Sequence, residues 1–309
     1  VNEETVRDVG PAGITVAYER FGDPLAPLVL LIMGGGAQMI NWPEGFCAEL
    51  AERGLYVIRF DSRDTGRSSH FTDGPVPDLG AALAGDLSSA AYTLSDMAAD
   101  TVGLLDALGF RTAHLVGASL GGMVAQTVAI ERPDRVRSLT SMMSTTGDRA
   151  VGQPDLARIA GLGRPPDERA GFVDWQVRAL EAVSSPGFAF DDAAAAQRAG
   201  LAYDRGHDPL GIVRQSVAAL ASGDRTARLR SLRLPALVLH GVADVMCDVS
   251  GGRATAAAIP GAELVLIEGM GHGLPRELWP RLAGHIAGLV RRAEQGAGER
   301  SNLMSGLGG

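Results

Sequence analysis

The sequence predicts an α/β protein built on a mostly parallel, doubly wound sheet with an inserted helical cap. Three features carry that expectation. Short apolar runs recur along the chain, helix-like segments alternate with them, and the interval 146–228 breaks the alternation with helical patches and no convincing strand. Apolar runs without polar alternation mark strands covered on both faces. Strands alternating with helices of about ten to fifteen residues imply crossover units, which are right-handed.

In chain order, "GITVAYERFGDP" (13–24) alternates apolar and polar residues and ends in Gly-Asp-Pro, which suggests one strand of a hairpin followed by a turn. The runs "PLVLLIM" (27–33), "LYVIRF" (55–60), "AHLVG" (113–117), "VRSLTSMM" (136–143), "PALVLH" (235–240) and "AELVLIE" (262–268) then supply sheet strands. Between them, 42–54, 94–109, 119–133 and 251–261 read as helices, several stopped by Gly or Pro. Inside the interruption the best helices are "ERAGFVDWQVRALEAV" and "HDPLGIVRQSVAALASG". The expected organisation is a core of residues 1–145 and 229–295, a helical cap or lid at 146–228, and a flexible Gly- and Ser-rich tail at 296–309.

Composition narrows the chemistry. A chain of 309 residues, 46% hydrophobic, can bury a sizeable core. The net charge of −8 comes with no basic block, so neither nucleic acid nor an anionic membrane is an expected partner. All 28 basic residues are arginine. Without lysine there is no P-loop, no pyridoxal Schiff base and no serine–lysine hydrolase. Cys47 and Cys247 stand far apart and read as free thiols in a reducing compartment. The polar start "VNEETVRDVG" lacks a signal pattern and no apolar run is long enough to span a membrane, so the expected location is cytoplasmic.

The chemistry-bearing motif is "GASLG", with Ser119 between Gly117 and Gly121 where a strand gives way to a helix. A nucleophile on such an elbow is strained and exposed, and its neighbours must be small for the chains to pass. A serine needs a base and the base needs a carboxylate. His272 in "EGMGHGLP" follows the last strand; His240, closing the previous strand, is its competitor. After that strand, Asp244 is nearer the strand end than Asp248, which suits a helix start. The order Ser119, Asp244, His272 differs from that of chymotrypsin-like and subtilisin-like proteases. Oxyanion donors are expected from the backbone of Leu120 and from the "MGGG" loop, at Gly35. Met33, Met39, Trp42, Met143 and Met246 fall near strand ends and are expected to line an adaptable apolar substrate pocket. "FDSRDTGRSS", with Asp61, Arg63, Asp64 and Arg67, reads as a loop that satisfies its own charges, outside the catalytic set.

Together "GASLGG", "DSRDTGRSS", "MGGG", "GVAD" and "GMGH" resemble the α/β-hydrolase superfamily over roughly residues 15–290. "LIMGGGAQMINWPEGFCAEL", "RFDSRDTGRSS" and "GMGHGLP" are similar to its aclacinomycin methylesterase branch, which removes a methyl ester from an anthracycline. That resemblance implies Ser119 as nucleophile, Asp244 as acid, His272 as base, and Gly35 and Leu120 as oxyanion donors. Met33-Gly34 stands where many relatives have His-Gly, and the likeness fails in the cap, so the substrate does not carry over. The expected activity is a serine carboxylesterase acting through an acyl-enzyme on a small to medium, mostly apolar ester, with water as co-substrate and neither cofactor nor metal. Carbon–carbon bond hydrolysis, lactone opening or perhydrolysis by the same triad is the alternative, and a non-enzymatic ligand-binding role the third reading.

Overall fold

The computed structural model describes residues 2–163 and 165–306. Its strands are β1 (Glu4–Val9), β2 (Ile14–Phe21), β3 (Leu28–Ile32), β4 (Tyr56–Phe60), β5 (Ala113–Ala118), β6 (Val136–Met142), β7 (Ala236–Gly241) and β8 (Glu263–Ile267). They form one sheet in the order β1-β2-β4-β3-β5-β6-β7-β8. The first hairpin and the β2–β4 pair are antiparallel; every other pair is parallel. The uninterrupted apolar runs become strands that are buried along their whole length, as β3, β4, β5 and β7 are, because helices cover both faces. Arg59 is the charged exception in that core, held by the Glu19 carboxylate at 2.6 Å and the Trp42 carbonyl. The partner of the expected hairpin strand is β1, drawn from the polar N-terminal stretch.

The helices are α1 (Glu44–Ala51), α2 (Leu79–Leu83), α3 (Leu94–Ala107), α4 (Leu120–Glu131), α5 (Leu156–Ile159), α6 (Arg169–Ala182), α7 (Asp192–Arg205), α8 (Gly211–Ser222), α9 (Thr226–Leu229), α10 (Val249–Ala258) and α11 (Trp279–Gly306). Thr93 opens α3 with a reciprocal capping box to Asp96. Two apolar layers result, one between the sheet and α3 and α4, the other between the sheet and α1 and α11.

Between β6 and β7 the chain leaves the sheet through α5 to α9. α7 was not evident from the sequence: its alanine run "DAAAAQRAGLAYDR" offers few large apolar residues, yet alanine is the best helix former and Asp191 caps its start. The last helix is longer than the sequence suggested. It continues through the segment read as a flexible tail as far as Gly306, since an established helix extends at little cost where nucleating one is expensive. Residues 307–309 of that expected tail lie outside the described residues. Among the described residues no helix is long and apolar enough to cross a membrane.

Candidate active site

The carboxyl ends of β5, β7 and β8 lie along one edge of the sheet. β5 stops at Ala118 and α4 starts at Leu120, so Ser119 alone makes the turn between them. Its φ of 54° and ψ of −121° put a non-glycine residue in strained backbone, as a strand-to-helix elbow demands. The bend closes because its flanks lack side chains. A Cβ at Gly117 would strike the Gly121 carbonyl, and one at Gly121 the Ile32 carbonyl. Ser144 supports the elbow from below, its Oγ donating to the Ser119 carbonyl at 2.7 Å; Met143, just before it, takes a left-handed φ of 40°.

Asp244 follows β7 and His272 follows β8. His272 Nδ1 donates to Asp244 Oδ2 at 2.8 Å, while Asp244 Oδ1 accepts the Met246 and Cys247 amides, each at 2.9 Å. The carboxylate is fully buried, whereas the His272 side chain keeps 15% of its surface. Among the described residues no protein group takes His272 Nε2, and no hydrogen bond joins it to Ser119 Oγ. Asp248 is the N-cap of α10, accepting the Ser250 amide at 2.9 Å. His240 is fully enclosed and donates from Nε2 to the Cys247 carbonyl at 2.7 Å, 3.6 Å from Asp244 Oδ2. Burial holds its pKa below the ordinary histidine value. With no accessible surface it cannot meet a substrate, which separates the two competing histidines.

The other titratable candidates are occupied elsewhere. His114 sits inside β5 between Ser138 and Glu294, His285 faces Glu263, and His207 stacks on Tyr203. Both cysteines are buried, which pushes the Cys47 thiol up to about 12 and raises Cys247 as well. Neither has the thiolate character of a nucleophile.

The Gly34–Gly36 segment follows β3 and passes over the elbow. A Cβ at Gly34 would lie 3.1 Å from Ser119 Cβ, and one at Gly35 3.5 Å from Leu120 Cδ2. The Gly34 carbonyl accepts the Ala37 amide at 3.2 Å with Gly36 at φ 66°, a tight turn that asks for glycine at that place. As the first residue of α4, Leu120 has an amide without a partner in the preceding turn. No hydrogen bond among the described residues takes the Gly35 amide.

Of the expected pocket residues, Met33 and Met246 are half-buried beside the site. Met39 and Trp42 have no accessible surface, and Met143 almost none. Trp42 stacks on Phe46 at 5.6 Å, and with Met143 it belongs to the core layer under α1 and α11. Trp42 and Met143 thus fill space in that apolar layer, and Met39, near Trp42 in sequence, is enclosed without accessible surface. A cleft of about 400 Å³ opens beside Asp244, between residues 150–155 and 244–250.

The loop 60–69 is not self-satisfied as expected. Its charges are met from distant elements: Asp64 by Arg214 of α8 at 2.8 and 2.9 Å, Asp61 by Arg205 of α7, and Arg63 by Asp100 of α3 at 2.6 and 2.8 Å. Arg67 reaches out to Glu3 at 2.8 Å. Burial pushes the Asp61 carboxyl up to about 6, against the Met39 and Arg67 amides that favour its charge. Asp64, His70 and Asp208 come close enough to hold a cation. The Arg214 guanidinium already bridges the two carboxylates, so a fixed positive charge fills that role.

The segment between β6 and β7 also touches the site directly. The Val183 carbonyl accepts the His272 amide at 2.9 Å, Ser185 Oγ accepts the Gly271 amide at 2.9 Å, and Gly187 donates to the Gly269 carbonyl at 2.9 Å. On the other flank Gln215 Oε1 accepts the Gly36 amide at 2.7 Å. Sequence reasoning missed these residues, since their partners are 82 to 179 positions away and no local pattern marks them.

A family model described as the alpha/beta hydrolase fold matches residues 27–275. The chain is 29% identical to rhodomycin D methylesterase of Streptomyces peucetius over 300 residues, covering 91% of this chain and 96% of that one. Among solved structures, a hydrolase from Pseudomonas aeruginosa PA01 is 27% identical with a TM-score of 0.66, covering 94% of this chain and 98% of that one. A 2-hydroxy-6-oxo-6-phenylhexa-2,4-dienoate hydrolase from Rhodococcus sp. strain RHA1 has a TM-score of 0.72 at 21% identity, covering 94% and 100%. At that identity the likeness speaks for the fold alone.

Proposed function

Because the chain belongs to the alpha/beta hydrolase fold family, we propose that it is a serine carboxylesterase in which Ser119, His272 and Asp244 act as nucleophile, base and acid. The observation that carries the reading is the 2.8 Å bond from a partly exposed His272 to a buried Asp244, on the same sheet edge as a strained serine elbow.

The chemistry follows from those groups. Neutral His272 takes the Ser119 proton at Nε2 as Oγ bonds to the ester carbonyl carbon. Asp244, fixed by two amides, keeps the Nδ1 proton in place and stabilises the imidazolium. The oxyanion rests on the Leu120 and Gly35 amides. Collapse expels the alcohol, which takes its proton from His272, and water repeats the cycle to release the acid. Ser119 and His272 need not be bonded beforehand, since such contacts tighten once substrate is seated. The substrate is a small to medium, mostly apolar ester. A methyl ester fits the 29% identity to rhodomycin D methylesterase, whatever the acid part of the molecule.

A panel of p-nitrophenyl esters from acetate to decanoate, with Ser119→Ala alongside, tests this. Turnover should drop by at least about 10³-fold in the variant while its unfolding midpoint stays within a few degrees. Ester turnover at the wild-type rate in Ser119→Ala would sink the mechanism.

A further inference from the structure

Three consecutive glycines form the loop that faces Ser119, and glycine gives a peptide plane no side chain to hold it. A donor loop of this kind is useful only if its amides keep one direction, because an oxyanion hole works by being arranged in advance. Something outside the loop has to set it. The Gly34–Ala37 bond, long at 3.2 Å, closes the turn at its ends, so the direction of the Gly35 amide in the Gly34–Gly35 peptide also depends on the next peptide, Gly35–Gly36, at the φ 66° corner.

One side chain controls that peptide. Gln215, on α8, is 1% exposed. Its Oε1 accepts the Gly36 amide at 2.7 Å and its Nε2 donates to the Arg63 carbonyl at 2.7 Å. The second bond fixes the sense of the first. Only the NH₂ end can face a carbonyl, so the oxygen must face Gly36. The preceding residue anchors the helix: Arg214 grips the buried Asp64 through two bonds. A second glutamine, Gln38, closes the far end of the loop, donating to the Ala202 and Gly206 carbonyls at 2.7 and 3.0 Å and accepting from Arg205 at 2.9 Å. The segment between β6 and β7 therefore reaches into the machinery opposite the nucleophile.

We infer that Gln215 is a positioning residue for ester hydrolysis, holding the Gly36 amide so that the Gly35 amide stays directed at the oxyanion. The inference rests on the proposed esterase mechanism. Among the described residues Gln215 makes no hydrogen bond to Ser119; its effect passes from the Gly35–Gly36 peptide that it holds to the adjoining Gly34–Gly35 peptide, which carries the Gly35 amide. Removing it should cost transition-state stabilisation and leave ground-state binding alone.

Two variants separate positioning from packing. Gln215→Met keeps the volume and removes both bonds. Gln215→Glu keeps an acceptor for Gly36 and, while protonated, a donor for Arg63. On the best p-nitrophenyl ester, Gln215→Met should lower kcat by about ten- to a hundredfold with KM within about twofold, somewhat less than losing an oxyanion donor outright. Labelling of Ser119 by a fluorophosphonate, which also builds charge on an oxygen in that hole, should slow by a similar factor. Gln215→Glu should recover much of kcat at low pH, and its ratio to wild type should fall as pH rises and the new carboxylate ionises against the Arg63 carbonyl. An unchanged kcat in Gln215→Met, a change confined to KM, or equal losses in both variants at every pH would overturn the inference. The two readings fail separately. Turnover in Ser119→Ala strikes the esterase mechanism, whereas normal kcat in Gln215→Met beside an inactive Ser119→Ala strikes only the role of Gln215.

Discussion

The two flanks of Ser119 are held by different means. On the oxyanion side the ties are side chains: Gln215 and Gln38 grip the glycine loop, and behind them Arg205 and Arg214 are paired to buried aspartates. On the histidine side the ties are mostly backbone: Val183 and Gly187 bond His272 and Gly269 directly, and among the described residues Ser185 Oγ adds a side-chain bond to Gly271. The contrast teaches where each flank is fragile. A side-chain tie breaks by replacing one residue. A backbone tie survives such replacements and fails only where added bulk pushes the two chains apart.

The largest effect should come from Arg214→Met. It removes both guanidinium bonds to Asp64, a carboxylate with no accessible surface, and also the bond to Asp208. Asp64 would keep the Phe71 amide and the Tyr92 hydroxyl, which do not supply a counter-charge. Breaking one partner of a buried pair costs about 3–5 kcal/mol, mostly through the charge left behind. Urea unfolding at neutral pH measures it. A loss under about 1 kcal/mol would mean that the oxyanion flank does not depend on its ion pairs, and the contrast between the flanks would fall.

The same contrast explains what was legible in the sequence. Continuous apolar runs identified β3 to β8, and the glycines around Ser119 identified the elbow, because both signals are local: a strand buried on two faces and a bend with no room for Cβ leave marks within a few residues. Asp244 and His272 were readable for a related reason. Each directly follows a strand, and parallel strands bring their ends to one edge. The arginine network was not readable. Asp61 and Asp64 looked able to satisfy the arginines next to them, but a short turn points successive side chains apart, and their partners arrive from α7 and α8. Trp42 and Met143 were harder to read for the opposite reason, since apolar residues near a strand end serve a pocket or a core equally well, and both lie in the core layer under α1 and α11.

A smaller effect should follow on the histidine side from Gly271→Ala. The methyl group would collide with the Ser184 carbonyl, which is backbone and cannot swing away. Overpacking of this kind typically costs about 1–3 kcal/mol, and displacement of the next residue, His272, should lower ester turnover as well. Val183→Ala is the control, because Val183 contributes its carbonyl to His272, and alanine has the same carbonyl. That variant should keep wild-type turnover and lose no more than about 1 kcal/mol. Turnover lost in Val183→Ala with Gly271→Ala unaffected would mean that side chains, not backbone, hold this flank.

The smallest effect is a pH dependence that only the oxyanion flank should show. Asp208 accepts from His70 Nδ1 at 2.9 Å, from the Leu210 amide at 3.0 Å, and from Arg214. Burial works against its charge, but these donors outweigh it and hold the carboxyl below its ordinary value of 3.8. A carboxylate with a lowered folded-state pKa binds its proton more readily when the chain unfolds. Its contribution is therefore present above 3.8 and drains away as pH falls through the lower, folded value. Since Asp208 is partly open to solvent, the contribution should be at most about 1 kcal/mol. Asp208→Asn removes it, so the stability gap between wild type and variant should narrow when urea midpoints are compared at pH 5 and pH 3. The ties of the histidine flank contain no titrating group, and Val183→Ala should follow wild type in parallel over the same range. A gap for Asp208→Asn that stays constant down to pH 3 would mean that Asp208 titrates as it does in the unfolded chain, and that Arg214 is committed to Asp64 alone.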